Sequence, residues 1–306
     1  MEGKVVVVGS SNVDLVMKMA RLPKVGETVT DATFVQAFGG KGANQAVGAA
    51  RAGGEVVFVS CVGDDAYGAQ VRGSLEADGI DTRFVFTESG VASGTALIMV
   101  GGEGRNYISV APGANYRLSP AHVDRAREAI ESAAIVISQC EIRPETLDHV
   151  IGLGSELGKP VMLNLAPARR IDDAPLAKLA YLAVNESEAE FLTGLEVATD
   201  AQAERAGDAL LARGPKSVIL TLGARGAYVC AAGVRALVPG FAVTAVDTTA
   251  AGDVHCGALA VALVEGRPLL EAVRFANAAA ALSATRLGAQ PSAPRREEIE
   301  ALASRG

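Results

Sequence analysis

Short β-branched runs alternate along this chain with stretches of helical composition, and no other feature of the sequence restricts the fold as much. A strand buried on both faces reads as a continuous apolar run. Such runs, separated by helices, specify a mostly parallel sheet covered on both sides. The predicted strands are residues 5–8, 56–60, 135–138, 161–165, 181–184 and 218–221. Helix starts carry their own punctuation: Ser119-Pro120 supplies an N-cap and a first-turn proline, Pro144 opens another helix, and Thr199-Asp200 opens a third that ends before Gly214-Pro215. The expected architecture is a three-layer α/β/α sandwich spanning residues 1–306. Two stretches, residues 13–36 and 92–110, break the alternation, because strand-like runs follow one another there without a helix. They are expected to pair into a small second sheet over a cleft.

Composition narrows the function. A chain of 306 residues with 49% hydrophobic content can bury a full core as one large domain with an appendage. Its net charge of −7, with a pI near 5.2 and no basic stripe along any predicted helix, disfavours nucleic acid as a partner. Cys61, Cys140, Cys230 and Cys256 are scattered without metal or redox spacing, and the apolar run at 5–8 is too short for a signal peptide or a membrane span. The chain therefore reads as reduced and cytoplasmic. Gly152, Gly154 and Gly158 approximate a dinucleotide fingerprint, but they close the helix begun at Pro144 instead of following a strand, so the context is wrong.

Chemistry concentrates in two glycine-containing loops that each run into a helix. The first is Asp247-Thr-Thr-Ala-Ala-Gly-Asp253, followed by an Ala-, Leu- and Val-rich stretch. The backbone N–H groups of Ala250, Ala251, Gly252 and Asp253 are expected to be free at this helix start, where the dipole favours phosphate. Asp253 beside a bound phosphate suits the role of general base for an attacking hydroxyl; as a first-turn aspartate it also suits a plain helix cap. The second loop is Phe38-Gly39-Gly40-Lys41-Gly42-Ala43-Asn44-Gln45-Ala46. Gly39, Gly40 and Gly42 permit positive φ and close backbone approach, or serve as ordinary turn glycines, while Lys41 and Asn44 offer donors to hydroxyl groups. No Walker A spacing occurs in the chain.

These two regions resemble the signature segments of the ribokinase family of carbohydrate kinases. The resemblance extends in order through Gly9-Ser-Ser-Asn12-Val-Asp14, Pro23-Lys-Val-Gly-Glu-Thr28, Gly63-Asp-Asp65, Pro112-Gly-Ala-Asn115, Asn164-Leu-Ala-Pro-Ala168, Asn185-Glu-Ser-Glu188, Thr221-Leu-Gly-Ala-Arg-Gly226 and Gly288-Ala-Gln-Pro-Ser292. It implies an ATP-dependent sugar kinase. D-ribose phosphorylated at O5 comes first, then deoxyribose, another pentose or hexose, or a nucleoside; a non-catalytic sugar or nucleotide sensor is the reading from another class. The positions matching the family's sugar contacts are Asn12, Asp14, Gly40, Lys41, Gly42, Asn44 and Glu141, polar groups that suit a polyol better than a nucleobase, although Asn12 and Asp14 also suit a turn after the first strand. ATP is expected along the carboxyl ends of the strands, at Asn185, Glu188, Thr221, Gly223, Gly226, Gly252 and Asn277. By the resemblance Asn185 helps position the nucleotide and metal and Glu188 holds the water shell of Mg²⁺, while both otherwise read as helix-capping groups. The resemblance assigns K⁺ to Asp247, Thr249, Ala284, Leu287 and Ala289, with backbone carbonyls doing most of the coordination. The two insertions become a lid that also mediates homodimerisation. Two departures from the family pattern stand out: His255-Cys256 replaces an aromatic and a small residue, and Asn277 stands where some members carry histidine near the adenine. His255 reads as a packed helix residue, and His122 and His149 as surface positions.

Overall fold

The computed structural model describes residues 3–102 and 105–305, so residues 103–104 of the second insertion lie outside the described residues. Thirteen strands form among them: β1 Lys4–Val8, β2 Asn12–Lys18, β3 Thr33–Gly39, β4 Val56–Gly63, β5 Asp81–Glu88, β6 Gly94–Val100, β7 Asn106–Ala111, β8 Ala133–Ser138, β9 Val161–Asn164, β10 Tyr181–Asn185, β11 Ser217–Thr221, β12 Gly226–Ala231 and β13 Val234–Pro239. Eleven helices accompany them: α1 Lys41–Arg51, α2 Ala66–Ala77, α3 Pro120–Arg125, α4 Arg127–Ser132, α5 Pro144–Glu156, α6 Asp173–Leu176, α7 Glu186–Thr193, α8 Asp200–Leu211, α9 Ala251–Val264, α10 Leu269–Ala284 and α11 Arg296–Ala303.

Nine strands make one sheet in the order β13-β12-β11-β10-β9-β8-β1-β4-β5, parallel except where β11, β12 and β13 pair antiparallel at one edge. The valines of β1 show why an apolar run becomes a central strand. Val5 and Val7 enter one hydrophobic core with α1, α9 and α10, while Val6 and Val8 enter a second core with α3, α4 and α5. Alternation along the strand therefore feeds both faces, and the predicted α/β/α layering is the observed one.

The strand order also locates the crevice. From β1 the chain passes through α1 to β4 on one side, whereas from β8 it passes through α5 to β9 on the other. The loops leaving the adjacent strands β1 and β8 diverge to opposite faces, and a gap opens between them at the carboxyl edge of the sheet. Residues 9–11 and 139–141 lie there.

The two insertions build a separate four-stranded sheet ordered β3-β2-β6-β7, in which only β2 and β6 run parallel. Its register sets Phe34, Met17, Met99 and Tyr107 in one row across all four strands, and these side chains are exposed.

Candidate active site

Gly40 caps α1 with φ of 85°, and a Cβ there would lie 2.7 Å from the Asn12 amide nitrogen. Only glycine satisfies both conditions. Gly39 and Gly42 do not use positive φ. They serve close approach instead, Gly39 against the Asp14 carboxylate and Gly42 against the Ser10 backbone. This packing draws the start of α1 onto the loop after β1. The Ala43 amide donates to Ser10 O at 2.8 Å, and Glu141, arriving from the loop after β8, accepts from the Ser10 hydroxyl at 2.5 Å and from the Lys41 amide at 3.0 Å. Asp14 stands near Glu141, and burial, aided by that like charge, pushes its carboxyl up to about 6. Asn12 is buried and accepts from Asn115 Nδ2 at 2.8 Å, while Asn115 Oδ1 accepts from the Ser11 amide.

α9 brings the second loop to the same place. Asp253 Oδ2 accepts from Asn44 Nδ2 at 3.0 Å and Oδ1 from Gln45 Nε2 at 3.3 Å, so the two signature loops meet through direct hydrogen bonds. Asp253 is only 5% exposed. Burial raises its pKa, against the opposing pull of Lys41, and its negative charge in turn holds the Lys41 ammonium above the usual range. The N-cap of α9, Ala250, takes the left-handed conformation at φ 62°. That turn costs Ala251 its expected freedom: its amide donates to Thr248 O at 3.2 Å. The anion hole expected from four amides therefore has three, since those of Ala250, Gly252 and Asp253 have no acceptor among the described residues. Gly252 borders open space, so nothing obstructs an approaching ligand.

A cavity of about 190 Å³ lies over this helix start, lined by Lys41, Asn185, Glu188, Thr221, Ala250, Gly252 and Asp253 among others. Asn185 and Glu188 also form a reciprocal cap on α7, with Asn185 Oδ1 accepting from the Glu188 amide and Glu188 Oε2 from the Asn185 amide. The capping role is thus real and coexists with a place in the cavity wall. Gly223 and Gly226 lie in the turn between β11 and β12, outside the cavity lining. A wider groove of about 510 Å³ along α5, at Asp148, Glu156 and Lys178, lies away from this cluster and gathers no buried polar group.

Asn277 stands otherwise than expected. Asn277 is buried and its amide is spent internally: Oδ1 meets His255 Nε2 at 3.2 Å, and Nδ2 donates to the carbonyls of Val238 and Pro239. It is therefore not aimed at the cavity. His255 is the packed helix residue expected, and burial lowers it to about 4. The potassium set does converge, because Asp247 accepts from the amides of Thr249 and Gly288. However, Ala284 O already accepts from Val246 and Asp247, and Ala289 O from the Ser292 amide and hydroxyl, while Leu287 is largely exposed. The Ala284 and Ala289 carbonyls are thus the most heavily engaged members of the set.

His122 is not a surface residue. Its ring packs on Phe86, Nδ1 faces the Ser119 amide and Cys61 Sγ, and Nε2 lies 3.2 Å from Glu88. Cys61, Glu88 and His122 each bring one metal-ligating atom within 4.8 Å of the others, with the ring nitrogens already facing the Cys61 thiol and the Glu88 carboxylate. His149 is partly exposed and pairs with Asp124. The four cysteines are free and buried. Among the described residues no helix is long and apolar enough to cross a membrane. Sequence reasoning missed Gln45, Asn115, Gln139 and Asn164 as site residues. All are buried amides whose partners lie far away in the chain; Gln45, Asn115 and Asn164 stand inside the signature segments, whereas Gln139 stands outside them and only its burial marks it.

Comparison with known proteins identifies the family. The model of the pfkB family carbohydrate kinases matches residues 2–296. The chain is 40% identical over 292 residues to the ribokinase of Haemophilus influenzae, covering 95% of each, and 37% identical over 296 residues to the deoxyribokinase of Salmonella typhi, covering 96% of this chain and 97% of that one. A solved structure of Arabidopsis thaliana ribokinase complexed with ribose and ATP superposes with a TM-score of 0.94 at 34% identity, covering 100% of both chains. With a matching family model over nearly its whole length, the chain belongs to the pfkB family of carbohydrate kinases.

Proposed function

We propose that this protein is an ATP-dependent kinase that phosphorylates D-ribose at O5, giving ribose 5-phosphate and ADP. The observation carrying the reading is Asp253: a buried carboxylate at the start of α9, bordering the cavity beside unpaired amides and hydrogen-bonded to the first glycine loop. Asn44 Oδ1 is buried and has no partner among the described residues, an acceptor suited to a substrate hydroxyl. Asn12, Asp14, Gly40, Lys41, Gly42, Asn44 and Glu141 hold the sugar, and the small sheet acts as the lid that closes over it. ATP lies along the carboxyl ends of β10 and β11, past Asn185 and Thr221, with its γ-phosphate over Gly252.

Asp253 takes the proton of the primary hydroxyl, the oxygen forms a bond to the γ-phosphorus in line, and the bond to the β–γ bridging oxygen breaks as ADP leaves. The amides of Ala250, Gly252 and Asp253, with Lys41, meet the charge that develops on the phosphoryl oxygens. Glu188 fits an ion held through water, since its carboxylate borders the cavity and magnesium keeps several waters. Mg²⁺ there neutralises phosphate charge when bound. No step is assigned to potassium.

Deoxyribose is the second reading, because a deoxyribokinase is 37% identical to this chain over almost its full length. A coupled ADP-release assay over ribose, deoxyribose, hexoses and nucleosides, with and without potassium, separates the two. Ribose turnover exceeding deoxyribose turnover is expected; the reverse order makes the protein a deoxyribokinase. The same reading places the protein in the cytoplasm as a homodimer joined through its lid.

A further inference from the structure

Two glutamines lie behind the general base. Gln45 on α1 is fully buried, and its Nε2 donates both to Asp253 Oδ1 at 3.3 Å and to Asn164 Oδ1 at 3.2 Å. Its Oε1 accepts from Gln139 Nε2 at 2.8 Å. Both amide hydrogens of Gln45 are thereby committed, and the acceptor end is held by a third residue. Rotating the Gln45 amide end for end would set its oxygen against the oxygens of Asp253 and Asn164, acceptor facing acceptor. Gln139 blocks that rotation, because it offers a donor where the rotated amide would present another donor.

Gln139 is itself fully buried in the loop just after β8, at the gap opened by the strand order. Its side chain fills space left by Gly9, where a Cβ would come within 2.0 Å of Gln139 Oε1. Asp253 then receives one hydrogen bond on each carboxylate oxygen, from the consecutive residues Asn44 and Gln45. Losing one leaves the carboxylate free to turn about its last bond, away from the line on which a hydroxyl must arrive.

We infer that Gln139 is a positioning residue for Asp253, acting through Gln45, whose amide it holds in the one orientation that donates to the catalytic carboxylate. The inference rests on the kinase reading above and deepens it. The test uses Gln139→Met and Gln45→Met, which keep chain length and remove the polar ends, assayed alone and in an Asp253→Asn background. Misplacing a catalytic group by a fraction of an ångström to an ångström costs up to about a hundredfold, so each single variant should lose roughly ten- to a hundredfold in kcat, with KM for sugar and ATP held within about twofold. In the Asp253→Asn background the same substitutions should change the residual turnover less than about twofold, because nothing remains to be positioned. Gln139→Asn, which keeps the amide on a shorter arm, carries the same test if the methionine variant does not fold. Raised KM with unchanged kcat, or an equal further loss in the Asp253→Asn background, overturns the inference alone. A parent protein that phosphorylates no sugar overturns the kinase reading and this inference with it.

Discussion

Asp253 and Asp14 illustrate how far one carboxylate's surroundings decide its work. Burial pushes both upward, but Asp253 has two amide donors and a nearby Lys41 that favour its ionised form, whereas Asp14 has Glu141 as a neighbour. Asp253→Asn should keep sugar binding, measured by calorimetry, and lose turnover by roughly a hundredfold to ten-thousandfold; comparable turnover in variant and parent would remove Asp253 from its role. For Asp14 the folded-state value near 6 exceeds the ordinary value of 3.8. The folded protein therefore binds the extra proton between those values, and stability declines as pH rises through that window. Asp14→Asn should abolish this decline, leaving the variant more stable than the parent at pH 8 by up to about 3 kcal/mol and little different at pH 4, as melting curves at the two pH values would show. It should also raise KM for the sugar. Lys41, Asn44 and Asp253 are legible in sequence because they sit inside short motifs; Gln139 lies outside every motif, and Asn164, although it opens one, has a role that depends, like that of Gln139, on a distant contact, across 119 and 94 positions respectively.

The two helices that carry the site are brought together by small residues. A Cβ on Gly257 of α9 would lie 2.5 Å from Gln45 O, and one on Gly48 of α1 would lie 3.1 Å from Val254 Cα. Gly257→Ala should force α1 and α9 apart, destabilising the fold by about 1–3 kcal/mol. Because Asn44 and Gln45 ride on α1, it should also lower kcat more than KM. Unchanged melting and turnover would show that the helices absorb the methyl group. Helix starts at Pro120, Pro144 and Asp200 follow the prolines and caps read from sequence, since the fixed φ of proline and a capping hydrogen bond both act locally. The start of α9 departs by one amide, because the left-handed Ala250 turns Ala251 back onto Thr248. Nothing in an Ala-Ala-Gly run announces that conformation.

At the scale of the molecule, the small sheet leaves an apolar row uncovered, with Phe34 57% and Tyr107 63% exposed. Such a row in water favours association. Phe34→Asp combined with Tyr107→Asp should convert the proposed dimer to a monomer by sedimentation equilibrium; a monomeric parent would refute dimerisation through this face. That a second sheet exists was legible from two stretches lacking helices, and its alternating side chains set the residues of each face. Sequence alone marked six strands of the large sheet, the helix starts and the two glycine loops, because backbone preference and apolar periodicity act over a few residues; β5, β12 and β13, at the sheet's edges, it did not mark. Only the tertiary structure decided that β1 lies beside β8, that Glu141 reaches Lys41, and that Gln45, Gln139 and Asn164 surround Asp253. Those contacts follow from strand order and helix packing, which are set by burying two whole hydrophobic cores at once, and no local stretch of chain encodes that outcome.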